Sequence, residues 1–183
     1  MLTMKELQKM LLAAAMELKA KSKYFCELDS VAGDGDHGLT IGRMADAIKQ
    51  KVEANDAKDI KGLLDDIGML CMGINGGSAG PLWGTVFSGM AEGAPADKTE
   101  VTSQEFCQML AQAKADFEDI SKAKLGDKTM VDALYPALMA GMEKKEIYGK
   151  KWMLLPKLPK TELPKRKNMW LNLAEPRMLE QSA

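Results

Sequence analysis

The sequence predicts an all-α fold, an antiparallel bundle of helices with short connections. Three observations predict it. Apolar residues recur at three- and four-residue steps through several segments long enough for helices. No run of alternating apolar residues stands between turn signals. Threonines suited to capping, Thr3, Thr102 and Thr129, precede three of the periodic segments.

The elements follow in order. Thr3 caps a helix running to about Lys21, with Leu7, Met10, Leu11, Ala14 and Leu18 on one stripe. A second helix starts near Leu39 or Thr40 and runs to about Glu53. A third spans Asp59 to Met72, with Ile60, Leu63, Leu64, Ile67 and Leu70 in phase. Pro81 suits a first helical turn, just before Leu82 to Ala91. Thr102 or Ser103 caps Gln104 to Ser121. Thr129 caps Met130 to Met142, a pattern that Pro136 interrupts. The 15 methionines suit a helical core, where a flexible thioether fills irregular gaps.

Length and charge narrow the function. A chain of 183 residues builds one domain with a real core. Its 25 basic and 26 acidic residues give a net charge of -1, which argues against a nucleic-acid binder working by phosphate neutralisation. No apolar run approaches the ~18 residues of a membrane span. Glu6 and Glu17 make the N-terminal segment an amphipathic helix rather than a signal peptide. Cys26, Cys71 and Cys107 are odd in number and lack a C-x-x-C pair, so a reducing cytoplasm is the expected compartment.

Composition breaks near residue 147. Residues 1–147 carry 17 basic and 23 acidic side chains; residues 148–183 carry 8 and 3. The latter stretch also holds four of the seven prolines and no Asp. Pro156, Pro159 and Pro164 recur too often for a useful helix. The expected organisation is a helical body over 1–147 and a basic Pro/Lys-rich tail over 148–183. Read simply, such a tail is a solvated extension.

The chemistry lies in three loops. The first, Glu27 to Gly38, holds Asp29, Asp34 and Asp36 among Gly33, Gly35 and Gly38. Interleaved glycines let the backbone fold tightly while carboxylates converge, and converging carboxylates repel unless a hard cation sits between them. Taken alone, the loop is equally a solvated turn rich in Asp and Gly. His37, the single histidine, adjoins these acids at a helix start, where the dipole and the N–H groups suit a phosphate. The second loop, Asn75-Gly-Gly-Ser-Ala-Gly-Pro81, is built from small residues that let a ligand approach the backbone; it is also an ordinary helix–helix turn. No Gly-Lys-Ser/Thr follows, so it is not a Walker loop. The third, Gly126-Asp-Lys-Thr-Met130, opens another helix. Together the loops suggest a metal–nucleotide site at one end of a bundle.

In order and spacing the three loops resemble the nucleotide-binding L subunit, or C-terminal domain, of the dihydroxyacetone kinases. The matching segments are Asp29 with Gly-Asp-Gly-Asp-His-Gly-Leu-Thr40, Gly-Gly-Ser-Ala-Gly-Pro-Leu-Trp-Gly-Thr85, and Gly-Asp-Lys-Thr-Met-Val-Asp132. The resemblance covers about residues 1–147 and implies an eight-helix barrel around a Mg²⁺–nucleotide. It implies that Asp29, Asp34 and Asp36 hold two Mg²⁺ ions. It places His37, Gly38, Leu39, Thr40, Ser78 and Ala79 along the phosphates and nucleotide, with Met130 near the adenine. It implies no catalytic side chain of this chain's own.

The activity so implied is phosphoryl transfer to dihydroxyacetone held covalently by a histidine of a separate K subunit. A short free-standing chain resembles the phosphotransferase-system-linked type. There ADP stays bound and is rephosphorylated to ATP by a phosphohistidine-bearing M subunit. A homodimer is left open. The alternatives are a kinase subunit for another carrier-bound hydroxyl such as that of a tetrose or fatty acid, a non-catalytic nucleotide sensor, and an inactive paralogue.

Three departures stand out. Ser121 replaces a Gly that precedes the third motif in related chains. After Ile147 neither the Gly-Glu-Arg-Ser stretch nor the Asp-Pro-Gly or Asp-Ala-Gly stretch of the family occurs. The final barrel helix is missing with them, and clustered Pro and Lys cannot cover the apolar seam it would leave. We therefore expect residues 148–183 to be a reading-frame product rather than an evolved tail.

Overall fold

The computed structural model describes residues 1–143. The expected boundary at 147 and the tail lie outside these residues. The order is β1 (Leu2–Thr3), α1 (Met4–Ala20), α2 (Ser22–Asp29), α3 (His37–Ala54), α4 (Ile60–Met72), α5 (Ala79–Glu92), β2 (Glu100–Val101), α6 (Ser103–Ile120) and α7 (Val131–Glu143). The fold is an all-α helical bundle, as the periodicity predicts.

From α3 onward, helices adjacent in sequence pack as antiparallel neighbours, while α1 runs antiparallel to α3, with Gln8 bonded to Asn55 and Lys19 to Asp46, and α2 follows α1 after Lys21. Close approach at small residues sets the spacing: a Cβ on Gly84 would lie 2.4 Å from the Met72 side chain, and one on Gly89 would lie 2.7 Å from the Ala113 Cα. Cys107 Sγ lies 3.4 Å from the Met142 carbonyl, and Phe117 meets Tyr135 edge-on, so α6 and α7 also run antiparallel. The alternation gathers the connections after α2, α4 and α6 at one end. These are the three loops that the sequence singles out.

One continuous core runs through the bundle. Leu7, Leu11, Met44, Ile48, Leu63, Leu64, Ile67, Met109, Phe117 and Val131 are all buried in it. Each large side chain there contributes ~1.5–3 kcal/mol of burial. Cys71 is fully buried on α4, and burial pushes its thiol up to about 11, so it serves packing. Among the described residues no helix is long and apolar enough to cross a membrane.

The opposite end is stitched by polar contacts. β1 and β2 pair antiparallel, Leu2 with Val101 and Thr3 with Glu100. The Met4 N–H donates to the Thr99 carbonyl at 2.7 Å, and the Asp97 N–H to Asp59 Oδ2 at 2.9 Å. Thr3 and Thr102 each form a full capping box, with Glu6 and Glu105, and Asp59 caps α4 through the Gly62 N–H.

Several expectations need correction. The sequence shows no strand, yet β1 and β2 form a short ladder, too brief to display alternation. Residues 22–29 form α2, which lacks both a side-chain cap and a buried face. α3 begins at His37, ahead of Leu39. α5 begins at Ala79, so Pro81 is its third residue. Pro136 lies inside α7 without ending it. Ala15 takes the core position expected of Ala14, and Leu70 is 42% exposed because its phase places it at the edge of the buried stripe. Met44, Met90 and Met109 enter the core, whereas Met16, Met69, Met72 and Met139 are exposed.

Candidate functional site

Asp29 is the last residue of α2, Asp34 lies in the following turn, and Asp36 immediately precedes α3. The path between α2 and α3 brings the three acids together. Each offers a carboxylate oxygen, and these atoms lie within 4.8 Å of one another. Two backbone N–H groups reach these carboxylates. The Asp36 N–H reaches Asp34 Oδ1 at 3.4 Å, and the His37 N–H reaches Asp29 Oδ2 at 3.3 Å. The positive end of α3 thus faces the acid at the end of α2.

The arrangement is electrostatically costly without a counter-charge. The charge of Asp34 pushes the Asp36 carboxyl above its ordinary range. Desolvation, a hydrogen bond to Asp34 and the charge of Asp29 add to this, and the Arg43 guanidinium opposes it. An all-oxygen donor set that resists ionising together suits a hard divalent cation, so the residues fit Mg²⁺.

α2 seats the start of α3. The Ser22 hydroxyl donates to the Gly38 carbonyl, and a Cβ on Gly38 would fall 1.8 Å from the Ser22 carbonyl oxygen and 2.7 Å from Cys26 Sγ. Gly38 therefore permits a contact that no side chain fits. His37 and Leu39 are exposed, and Phe25 meets the His37 ring edge-on at 6.4 Å. Thr40 is buried, its hydroxyl turned against Gly76 in the second loop.

The second loop lies on α3. Arg43 Nη1 donates to the Asn75 carbonyl at 3.0 Å. Gly76 has φ +141°, and Gly77 follows at φ +58°. Ser78 then precedes α5 and makes no side-chain cap bond; it is exposed, and Ala79 is half-buried. The Leu82 N–H donates to the Ser78 carbonyl at 3.0 Å.

The third loop is held by its own acids. Asp132 accepts from the Gly126 N–H at 2.6 Å and from the Thr129 N–H at 3.1 Å. The Thr129 hydroxyl accepts from the Val131 N–H at 3.2 Å, at the helix start where a cap is expected. Met130 is half-buried against the core. The structure thus joins the first two loops through α3, while the third reaches the same end by the alternation of helices. Arg43 escapes the sequence reading because its contact spans 32 residues. That it is the only arginine in residues 1–143 is the one signal that could have drawn notice.

Comparison with known proteins points to one family. Residues 31–155 match the family model described as the DAK2 domain. The chain is 36% identical over 123 residues to PEP-dependent dihydroxyacetone kinase 2, ADP-binding subunit DhaL, of Listeria innocua; the match covers 66% of this chain and 56% of that protein. It is 36% identical over 118 residues to PEP-dependent dihydroxyacetone kinase, ADP-binding subunit DhaL, of Escherichia coli, covering 64% and 56%. It is 31% identical over 117 residues to L-erythrulose kinase of Pectobacterium atrosepticum, covering 62% of this chain and 19% of that one. The matches thus span little more than half of each DhaL relative.

Proposed function

The chain belongs to the DAK2 domain family, and on that premise we propose that it is the ADP-binding subunit of a dihydroxyacetone kinase. It would hold a Mg²⁺–nucleotide for phosphoryl transfer to dihydroxyacetone carried by a K subunit. A phosphohistidine-bearing M subunit of the phosphotransferase system would regenerate the nucleotide. The observation that carries the reading is the convergence of Asp29, Asp34 and Asp36 within 4.8 Å at the end where the small-residue loop starts α5.

In this reading the three acids hold Mg²⁺, two ions in all. When bound, Mg²⁺ neutralises charge on the phosphoryl oxygens and fixes them in line for transfer. The remaining work falls to the chain. Ser78 and Ala79 turn the start of α5, with its positive dipole end, toward the phosphates. His37, Gly38, Leu39 and Thr40 line the approach along α3, and Met130 covers the adenine. No catalytic side chain is assigned, because such transfer needs mainly position and charge stabilisation. The compartment proposed is the cytoplasm.

Calorimetry on the purified chain tests the reading. ADP should bind with Mg²⁺ present and fail to bind in EDTA, and Asp36→Asn should abolish the Mg²⁺-dependent binding. Equal ADP affinity in the D36N variant at saturating Mg²⁺ overturns the metal assignment. The chain alone should not phosphorylate free dihydroxyacetone with ATP, since its one histidine stands in the acid loop. The similarity to L-erythrulose kinase favours a second reading, in which the same subunit serves a tetrose. Turnover assays with the K subunit and each ketose separate the two.

A further inference from the structure

We infer that Arg43 is a positioning residue that clamps the Asn75–Gly77 loop onto α3 and so fixes the start of α5 relative to the acid cluster. The inference rests on the proposed Mg²⁺–ADP site and adds a residue to it that touches neither metal nor nucleotide.

The geometry is specific. Arg43 and Thr40 stand three residues apart on α3 and so share a face. Both meet the same short loop. Arg43 Nη1 takes the Asn75 carbonyl at 3.0 Å, and Thr40 backs Gly76 so closely that a Cβ there would lie 2.1 Å from Thr40 Oγ1. One residue supplies a bond and the other a wall. Gly77 and Ser78 then carry the chain into α5 with no cap bond from Ser78. The body of α5 packs on α4 and α6, so what the α3 side holds is the loop that leads into its first turn. Asp36 lies immediately before α3, so one helix carries both the last acid and the clamp.

Arg43 is exposed, so its loss leaves no cavity in the core and should spare global stability.

Hydrogen exchange and calorimetry on the full chain test the clamp. In Arg43→Ala without nucleotide, amides of residues 75–80 should exchange roughly tenfold faster, the change expected from losing one charge-assisted hydrogen bond. Amides in the middle of α4 and α6 should be unchanged. Arg43→Lys keeps a charged donor and should recover part of the protection. The Mg²⁺–ADP Kd of Arg43→Ala should rise about tenfold with the melting temperature preserved. Unchanged exchange at 75–80, or faster exchange with an unchanged Kd, overturns the inference. Failure of the wild-type chain to bind Mg²⁺–ADP overturns the functional reading instead, and the exchange data still decide whether Arg43 holds the loop.

Discussion

Gly76 sits against Thr40 with no space for a side chain between them. A Cβ on Gly76 would stand 2.1 Å from Thr40 Oγ1, and the backbone there has φ +141°. Thr40 is only 2% exposed and cannot swing away. Gly76→Ala therefore meets both backbone strain and a clash, and should cost about 2–4 kcal/mol. Urea melts measure the loss, and ADP retention should fall with it. A stability change within experimental error would show that the loop relaxes freely.

The acid cluster predicts linked binding. Three converging carboxylates repel a nucleotide diphosphate, and neither set tolerates the other without a divalent ion. Mg²⁺ and ADP added together should raise the melting temperature, by ~2.7 kcal/mol of stabilisation when the ligand is at one hundred times its Kd. ADP with EDTA should leave the melt unmoved. A full shift in EDTA would remove the metal from the site.

Glu105 sets an acid limit on stability at the opposite end. Its hydrogen bond to Lys98, then those to the Thr102 N–H and hydroxyl, hold its carboxyl at about 2 instead of the ordinary 4.5. A depressed native pKa adds stability that is complete above about 4.5 and lost as pH falls toward about 2. Glu105→Gln keeps a capping acceptor and removes the charge. Its stability should depend less on pH across that window, as urea melts on either side of it will show.

Tyr135 carries a buried hydroxyl with no hydrogen-bond partner among the described residues. Burial, then the nearby Glu118, raises its pKa. Tyr135→Phe keeps the edge-on contact with Phe117 and removes the unsatisfied group. Stability should hold or rise by up to ~1 kcal/mol. A clear loss by thermal melting would reveal a bond that the hydroxyl makes.

What the sequence discloses divides by the range of the interaction. Thr3 and Thr102 are legible because a capping box is written within four residues, and the α4 stripe is legible because Ile60, Leu63, Leu64 and Ile67 repeat the helical period. α2 is silent because none of its eight residues is buried, so no apolar period marks it. The three acids stand out as a cluster in the sequence, but their meeting with the second loop depends on contacts from Thr40 and Arg43 to residues more than thirty positions away. Composition and spacing carry no trace of such pairings. The resemblance in the loops placed both motifs in one site, without indicating which side chains hold them together.

Pro81 sets where the free N–H groups at the start of α5 end. A helix start usually presents several consecutive donors, along which an anion can shift by one residue. Here the third position has no N–H, and the Leu82 N–H is engaged by the Ser78 carbonyl. The donors of that turn therefore end at Gly80, after the N–H groups of Ser78 and Ala79. For the phosphate proposed at this loop, the row of donors would stop at Gly80 and could not be followed further along the helix.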